Sequence, residues 1–209
     1  MPMIKAASPR YALTLFVLFW GYWLVLAIAP LHRDDWILEN VLVVLTVPLV
    51  ILGWRRYAFS HTAITALWLF MLLHVLGSHY TYAQVPYNHW TEQLFGQPLN
   101  SWFGWERNHF DRLVHGLFGL LLMPVLCEWL AQTTGVARRW QYTFAISLVL
   151  AISAIYEIIE WVAVLLFGGD LGQAYLGTQG DVWDAQKDMA LAALGAMVGA
   201  LCLQLIRKK

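Results

Sequence analysis

The chain has 209 residues, 60% of them hydrophobic and only 12% charged, and its formal net charge is zero. So large an apolar share leaves too little polar surface to cover one soluble core, which indicates an integral membrane protein. The neutral balance also speaks against nucleic acid as a partner.

Roughly 20 helical residues are needed to cross about 30 Å of hydrocarbon. Six stretches qualify, near 11–29, 36–54, 62–77, 110–131, 141–167 and 185–206. They predict an all-α, polytopic helical bundle over 1–209, a single transmembrane domain. The first stretch follows Lys5 and Arg10 and ends in Ala-Ile-Ala-Pro, so a signal peptide is the competing reading. Its apolar run exceeds the usual signal-peptide core, which favours a retained helix. The third stretch is short, and an extension to Tyr80 would complete it. Pro48 and Pro124 fall inside spans, where neighbouring helices can compensate a lost hydrogen bond.

Between the third and fourth spans lies a long loop, 78–109, with Tyr80, Tyr82, Tyr87, Trp90, Phe95, Trp102, Phe103 and Trp105 among polar residues. Amphipathic rings suit the headgroup level, so this loop is expected to lie on the interface or cap the bundle. A second, glycine-rich loop from Gly168 to Gly180 is a candidate lid. Cys127 and Cys202 read as small core residues rather than a disulfide pair.

Basic residues set the expected orientation. Lys5 with Arg10, Arg55 with Arg56, Arg138 with Arg139, and Arg207 with Lys208 and Lys209 occupy alternate connections. By the positive-inside rule these are cytoplasmic, which puts both termini inside. Arg33, Arg107, Arg112 and Lys187 each lie near an acid and read as ion-pair partners. All acids but Glu128 then fall at outer helix ends or in outer loops, Asp170 included.

Helical spacing groups those acids. Asp111 with His115, Glu157 with Glu160, and Asp181, Asp184 and Asp188 each form one stripe. The last stripe continues into Ala192, Gly195 and Gly199, and small residues at that spacing let another helix approach, in the same chain or in a second copy. Charges at membrane depth are costly and rarely lack a partner. Glu157, Glu160, Asp111 and His115 are therefore the candidate catalytic set, with Asp184, Asp188 and His74 as candidate metal ligands.

Plainer readings exist. Asp111 and Arg112 would also serve as a helix cap and an interfacial anchor, and Asp181 or Asp184 would cap the last helix. His74, on an apolar helix, reads first as a satisfied core histidine.

The runs Asn108-His-Phe-Asp-Arg-Leu-Val-His115, Tyr156-Glu-Ile-Ile-Glu-Trp161 and Gly180-Asp-Val-Trp-Asp-Ala-Gln-Lys-Asp188 resemble the YjdF family of bacterial inner-membrane proteins. That resemblance implies topology and an inner-membrane location, without an activity. A more distant similarity is to the VanZ-like group, through Asp111-Arg-Leu-Val-His115, Glu157-Ile-Ile-Glu160 and the helix from Asp188 to Gly199. Arg112, Glu160 and Ala192 depart from that group's Lys, Gln and Asn. This second resemblance implies a cell-envelope context.

Two chemistries suit a converged carboxylate and histidine cluster. A divalent cation held there could polarise an oxygen or activate water, giving hydrolysis or transfer on a lipid or cell-envelope precursor. Alternatively, the acids could take up and release protons in a coupled carrier of small solutes. A third expectation is a non-enzymatic structural or interaction protein.

Overall fold

A computed structural model describes residues 5–167 and 178–206. Six helices are long and apolar enough to cross a membrane: α1 (Pro9–Leu26), α2 (Arg33–Arg56), α3 (His61–His79), α6 (Phe110–Thr133), α7 (Arg138–Phe167) and α8 (Asp184–Ile206). Two short helices, α4 (Tyr87–Phe95) and α5 (Leu99–Phe103), lie between α3 and α6. The described residues contain no strand. Most of the glycine-rich loop, with Asp170, and the terminal Arg207, Lys208 and Lys209 lie outside the described residues.

Local chemistry sets the helix ends. The Ser8 side chain accepts the Tyr11 backbone N–H at 3.2 Å and Pro9 follows, so an exposed donor is satisfied where a proline costs nothing. Ser60 caps α3 in the same way, accepting from Ala63 N–H. Asp34 and Asp35 occupy the first turn of α2 and Arg55 and Arg56 its last, each sign matching the helix dipole. Helix α1 stops at Leu26, short of the expected end at 29. Ala29, at φ 47°, stands in the left-handed region before Pro30, where proline disfavours a helical predecessor. Helix α3 runs to His79, close to the extension its length demanded.

Helix α6 is the hub of the bundle. It packs on α3, α7 and α8, while α1 and α2 pack on α3. The α6–α8 seam is close because glycines on each helix face the backbone of the other. A Cβ on Gly119 would stand 1.9 Å from the Ala192 carbonyl oxygen, and one on Gly195 would stand 1.9 Å from that of Gly116. The Gly195-x-x-x-Gly199 face, for which a second copy is one expected partner, thus meets α6 of the same chain; Gly199 lies over Leu120 and Met123. That contact fixes the rotation of both helices and points Asp111, His115 and Asp188 towards one another.

The loop before α6 is a folded strap. The Asn100 amide donates to the Arg107 carbonyl at 2.7 Å, and Tyr87 donates its hydroxyl to Asn100 at 2.8 Å. Asn108 donates its amide to the Val85 carbonyl, and its backbone N–H to Gln179 Oε1. The aromatic loop expected at the interface therefore holds Arg107 in place by hydrogen bonds.

Candidate metal centre

One end of the bundle gathers the starts of α2, α6 and α8 and the ends of α3 and α7. At that end His115, on α6, directs Nε2 at two carboxylates. Asp111 Oδ1, one turn earlier on the same helix, lies 3.6 Å away, and Glu157 Oε1, on α7, lies 3.5 Å away. Asp188, on α8, completes a group with Asp111 and His115 whose ligand atoms all lie within 4.8 Å of one another. His115, Glu157 and Asp188 are buried at 7%, 9% and 2% exposure.

Those separations are informative. A hydrogen bond between nitrogen and oxygen closes to roughly 2.7–3.2 Å, so neither His115 approach is one. Two ligands tetrahedrally disposed around one ion, each at about 2.0–2.2 Å, stand roughly 3.3–3.6 Å apart. The two His115 separations fall in the range that ligands of one ion would have. Glu157 Oε1 and Asp188 Oδ1 are moreover buried without a hydrogen-bond partner among the described residues. Buried carboxylate oxygens are costly in that condition, and an ion is one of the few things that satisfies several together.

Around this group lies a second layer. Tyr156 packs its ring edge-on to His115, with centroids 6.2 Å apart, and donates its hydroxyl to Glu39 Oε2 at 3.0 Å. Glu39 and Asp35, one turn apart on α2, are both buried. Glu160 is buried one turn beyond Glu157 on α7.

A third cluster closes the same end. Arg107 and Arg112 both reach Asp184, with Arg107 Nη1 at 2.6 Å and Arg112 Nη2 at 2.9 Å from Oδ1; Arg107 Nη2 holds Oδ2 at 3.1 Å. Asp181 accepts from Arg112 and from Lys187. The Lys187 hydrogen bond, seconded by the Trp183 backbone N–H, holds the Asp181 carboxyl well below the usual carboxylate range. His109, just ahead of α6, is pushed below the ordinary histidine value by burial and then by the charges of Arg112 and Arg107.

The structure thus brings Asp111, His115, Glu157 and Asp188 together, with Glu160 behind them. It does not bring two of the expected ligands in. Asp184 is committed to Arg107 and Arg112. His74 contacts the Glu39 carbonyl through Nε2 at 3.1 Å and Tyr82 through Nδ1 at 2.5 Å, so neither nitrogen is left for a metal. A carbonyl only accepts, so Nε2 carries the proton and Nδ1 accepts from the Tyr82 hydroxyl. Sequence reasoning missed Glu39 and Tyr156 as members of the surroundings. The Asp35-x-x-x-Glu39 spacing inside an apolar helix was the available signal.

Residues 11–209 match the family described as "Predicted membrane protein (DUF2238)". A curated relative, "Inner membrane protein YjdF" of Escherichia coli (strain K12), is 35% identical over 203 residues. The alignment covers 97% of this chain and 90% of the relative. The chain belongs to this family of predicted membrane proteins. No solved structure matches it. Membership agrees with six apolar helices, and it brings no activity with it.

Proposed function

We propose that this protein is a bacterial inner-membrane metalloprotein. In this reading Asp111, His115, Glu157 and Asp188 hold a divalent cation for hydrolysis or group transfer on a lipid or envelope-precursor substrate. The observation that supports it best is the His115 Nε2 atom standing 3.6 and 3.5 Å from two acids, with unpartnered, buried oxygens on Glu157 and Asp188. One imidazole with three carboxylates suits Mn, Fe or Zn better than Ca or Mg, which take oxygen alone. A cation there would polarise a phosphoryl or acyl oxygen, or acidify bound water. In this reading Glu160, and Glu39 with its Tyr156 hydrogen bond, are the further buried carboxylates that would exchange protons with such a water.

By the positive-inside rule, the site faces away from the cytoplasm, within reach of outer-leaflet headgroups. A proton-coupled carrier is less favoured, because the buried acid at the opposite end, Glu128, already accepts the Ser60 backbone N–H at 2.8 Å. That acid staples two helices instead of continuing a path.

The test is elemental analysis of the full chain purified in neutral detergent, after equilibration with Mn, Fe or Zn and removal of free metal. About one ion per chain is expected for the native protein, and none for Glu157→Gln combined with Asp188→Asn. Absence of metal from the native protein, or equal metal in the double variant, would overturn the site. Release of headgroup or phosphate from phospholipid substrates, present in the native protein and absent in the variant, tests the reaction class.

A further inference from the structure

The opposite end of the bundle carries a groove between α7 and α8, with a cavity of about 330 Å³ whose lining includes Arg139, Tyr142, Thr143, Ile146, Met197 and Gln204. We infer that it is a binding site for an anionic phospholipid.

Its polarity is graded along the membrane normal. Arg139 lies in the first turn of α7, and Gln204 near the end of α8, so both stand at the mouth. Ile146 and Met197 are each seven residues inward, roughly 10 Å at 1.5 Å per residue. A cation at headgroup level above an apolar floor matches a lipid, whose charged head and acyl chain follow the same order. The lining includes no acid. Arg139 is exposed, and its guanidinium stands 5.8 Å from the Trp140 ring.

A second observation is an unpartnered donor in the lining of the groove. Tyr142 is 93% buried by its 7% exposure, yet its hydroxyl has no hydrogen-bond partner among the described residues. Thr143, beside it, donates its hydroxyl to the Arg139 carbonyl one turn earlier on the same helix. A phosphate oxygen at the mouth would meet the Arg139 charge, and would reach the enclosed Tyr142 donor by displacing the side chains over it. Basic pockets between membrane helices are suited to anionic headgroups for this reason.

The experiment uses the full chain in neutral detergent. Retained lipid is counted by native mass spectrometry, and melting is followed with added phosphatidylglycerol, phosphatidylcholine of the same chains, or inorganic phosphate. Phosphatidylglycerol should be retained and should raise the melting temperature. Arg139→Gln should weaken its binding roughly fivefold, the attraction of one basic residue for an anionic headgroup. Arg139→Gln should also reduce the preference over phosphatidylcholine, because only net charge separates the two lipids. Tyr142→Phe should leave that preference unchanged, and Arg55→Gln, an exposed arginine at the same end, should change nothing. Equal retention of the two lipids would overturn the site. So would an equal loss in Arg55→Gln, or the same stabilisation by inorganic phosphate alone.

Discussion

Asp184 and Asp188 are one turn apart on the same helix, both almost fully buried, and they meet opposite surroundings. Asp184 is held by two guanidinium groups, one delivered by the strap before α6 and one from α6 itself. Asp188 faces Asp111 and His115 and has an oxygen with no partner among the described residues. A buried acid with its cations is a staple, and its removal is felt as lost stability. A buried acid facing other acids is a cost to the fold, carried where something else can bind. The contrast makes the Arg107, Arg112, Asp181 and Asp184 cluster a staple at the mouth, and it supports the proposal that the Asp111, His115, Glu157 and Asp188 cluster carries the function.

The largest effect comes from breaking both at once. In Gly119→Leu the new side chain begins 1.9 Å from the Ala192 carbonyl oxygen, so α6 and α8 must separate. A loss of at least about 3 kcal/mol is expected from such overpacking. Thermal melting in detergent should show little folded protein, with metal retention falling in parallel. Near-native melting would mean that the seam is looser than described.

Next in size is Arg107→Met, which removes two hydrogen bonds from a carboxylate at 4% exposure. A cost of about 3 kcal/mol follows for stripping a partner from a buried pair. Metal content should persist in the fraction that folds. Equal loss of metal and stability would erase the distinction between the clusters.

The functional cluster should respond the other way. Without metal, Asp188→Asn and Glu157→Gln should melt within about 1 kcal/mol of the native protein or slightly above it, because a carboxamide relieves crowding of like charges. Metal at about 100 times its dissociation constant should then stabilise the native protein by roughly 2.7 kcal/mol and leave the variants unmoved. A large loss in the metal-free variants would make this cluster a second staple.

How much of this was legible follows from which contacts are local. Six spans could be placed by length and hydropathy alone, and the Asp111–His115 pairing needed only the four-residue repeat. Which acid of the Glu157–Glu160 pair meets His115 depends on the rotation of α7 against α6, which one sequence does not encode locally. Asp184 and Asp188 share a stripe, so spacing could not say that one would be taken by arginines and the other left for the cluster. His74 illustrates the same limit, because its Glu39 and Tyr82 partners come from α2 and the strap. Asn100 and Asn108 look like ordinary loop residues until their bonds to Arg107, Val85 and Gln179 are seen.

The smallest effect concerns the rim of the staple and is read through pH. Asp181 has its carboxyl depressed below the ordinary value of 3.8, chiefly by Lys187 and then by the Trp183 N–H. A depressed carboxyl contributes stability that is fully present above its unfolded value and is lost as pH falls through the folded one. Native protein should therefore keep this contribution at neutral pH and shed it only on acidification below about 3.8. Asp181→Asn lacks it throughout, so the two melting curves should be offset at neutral pH and converge in acid. In Lys187→Met the main cause of the depression is gone, so the offset should be smaller and convergence should be complete at higher pH. The step should be modest because Lys187 is half exposed and such pairs are screened by solvent. Curves that stay parallel down to pH values well below 3.8 would show that Asp181 is not held by its cations in solution, and would confine the staple to Asp184 alone.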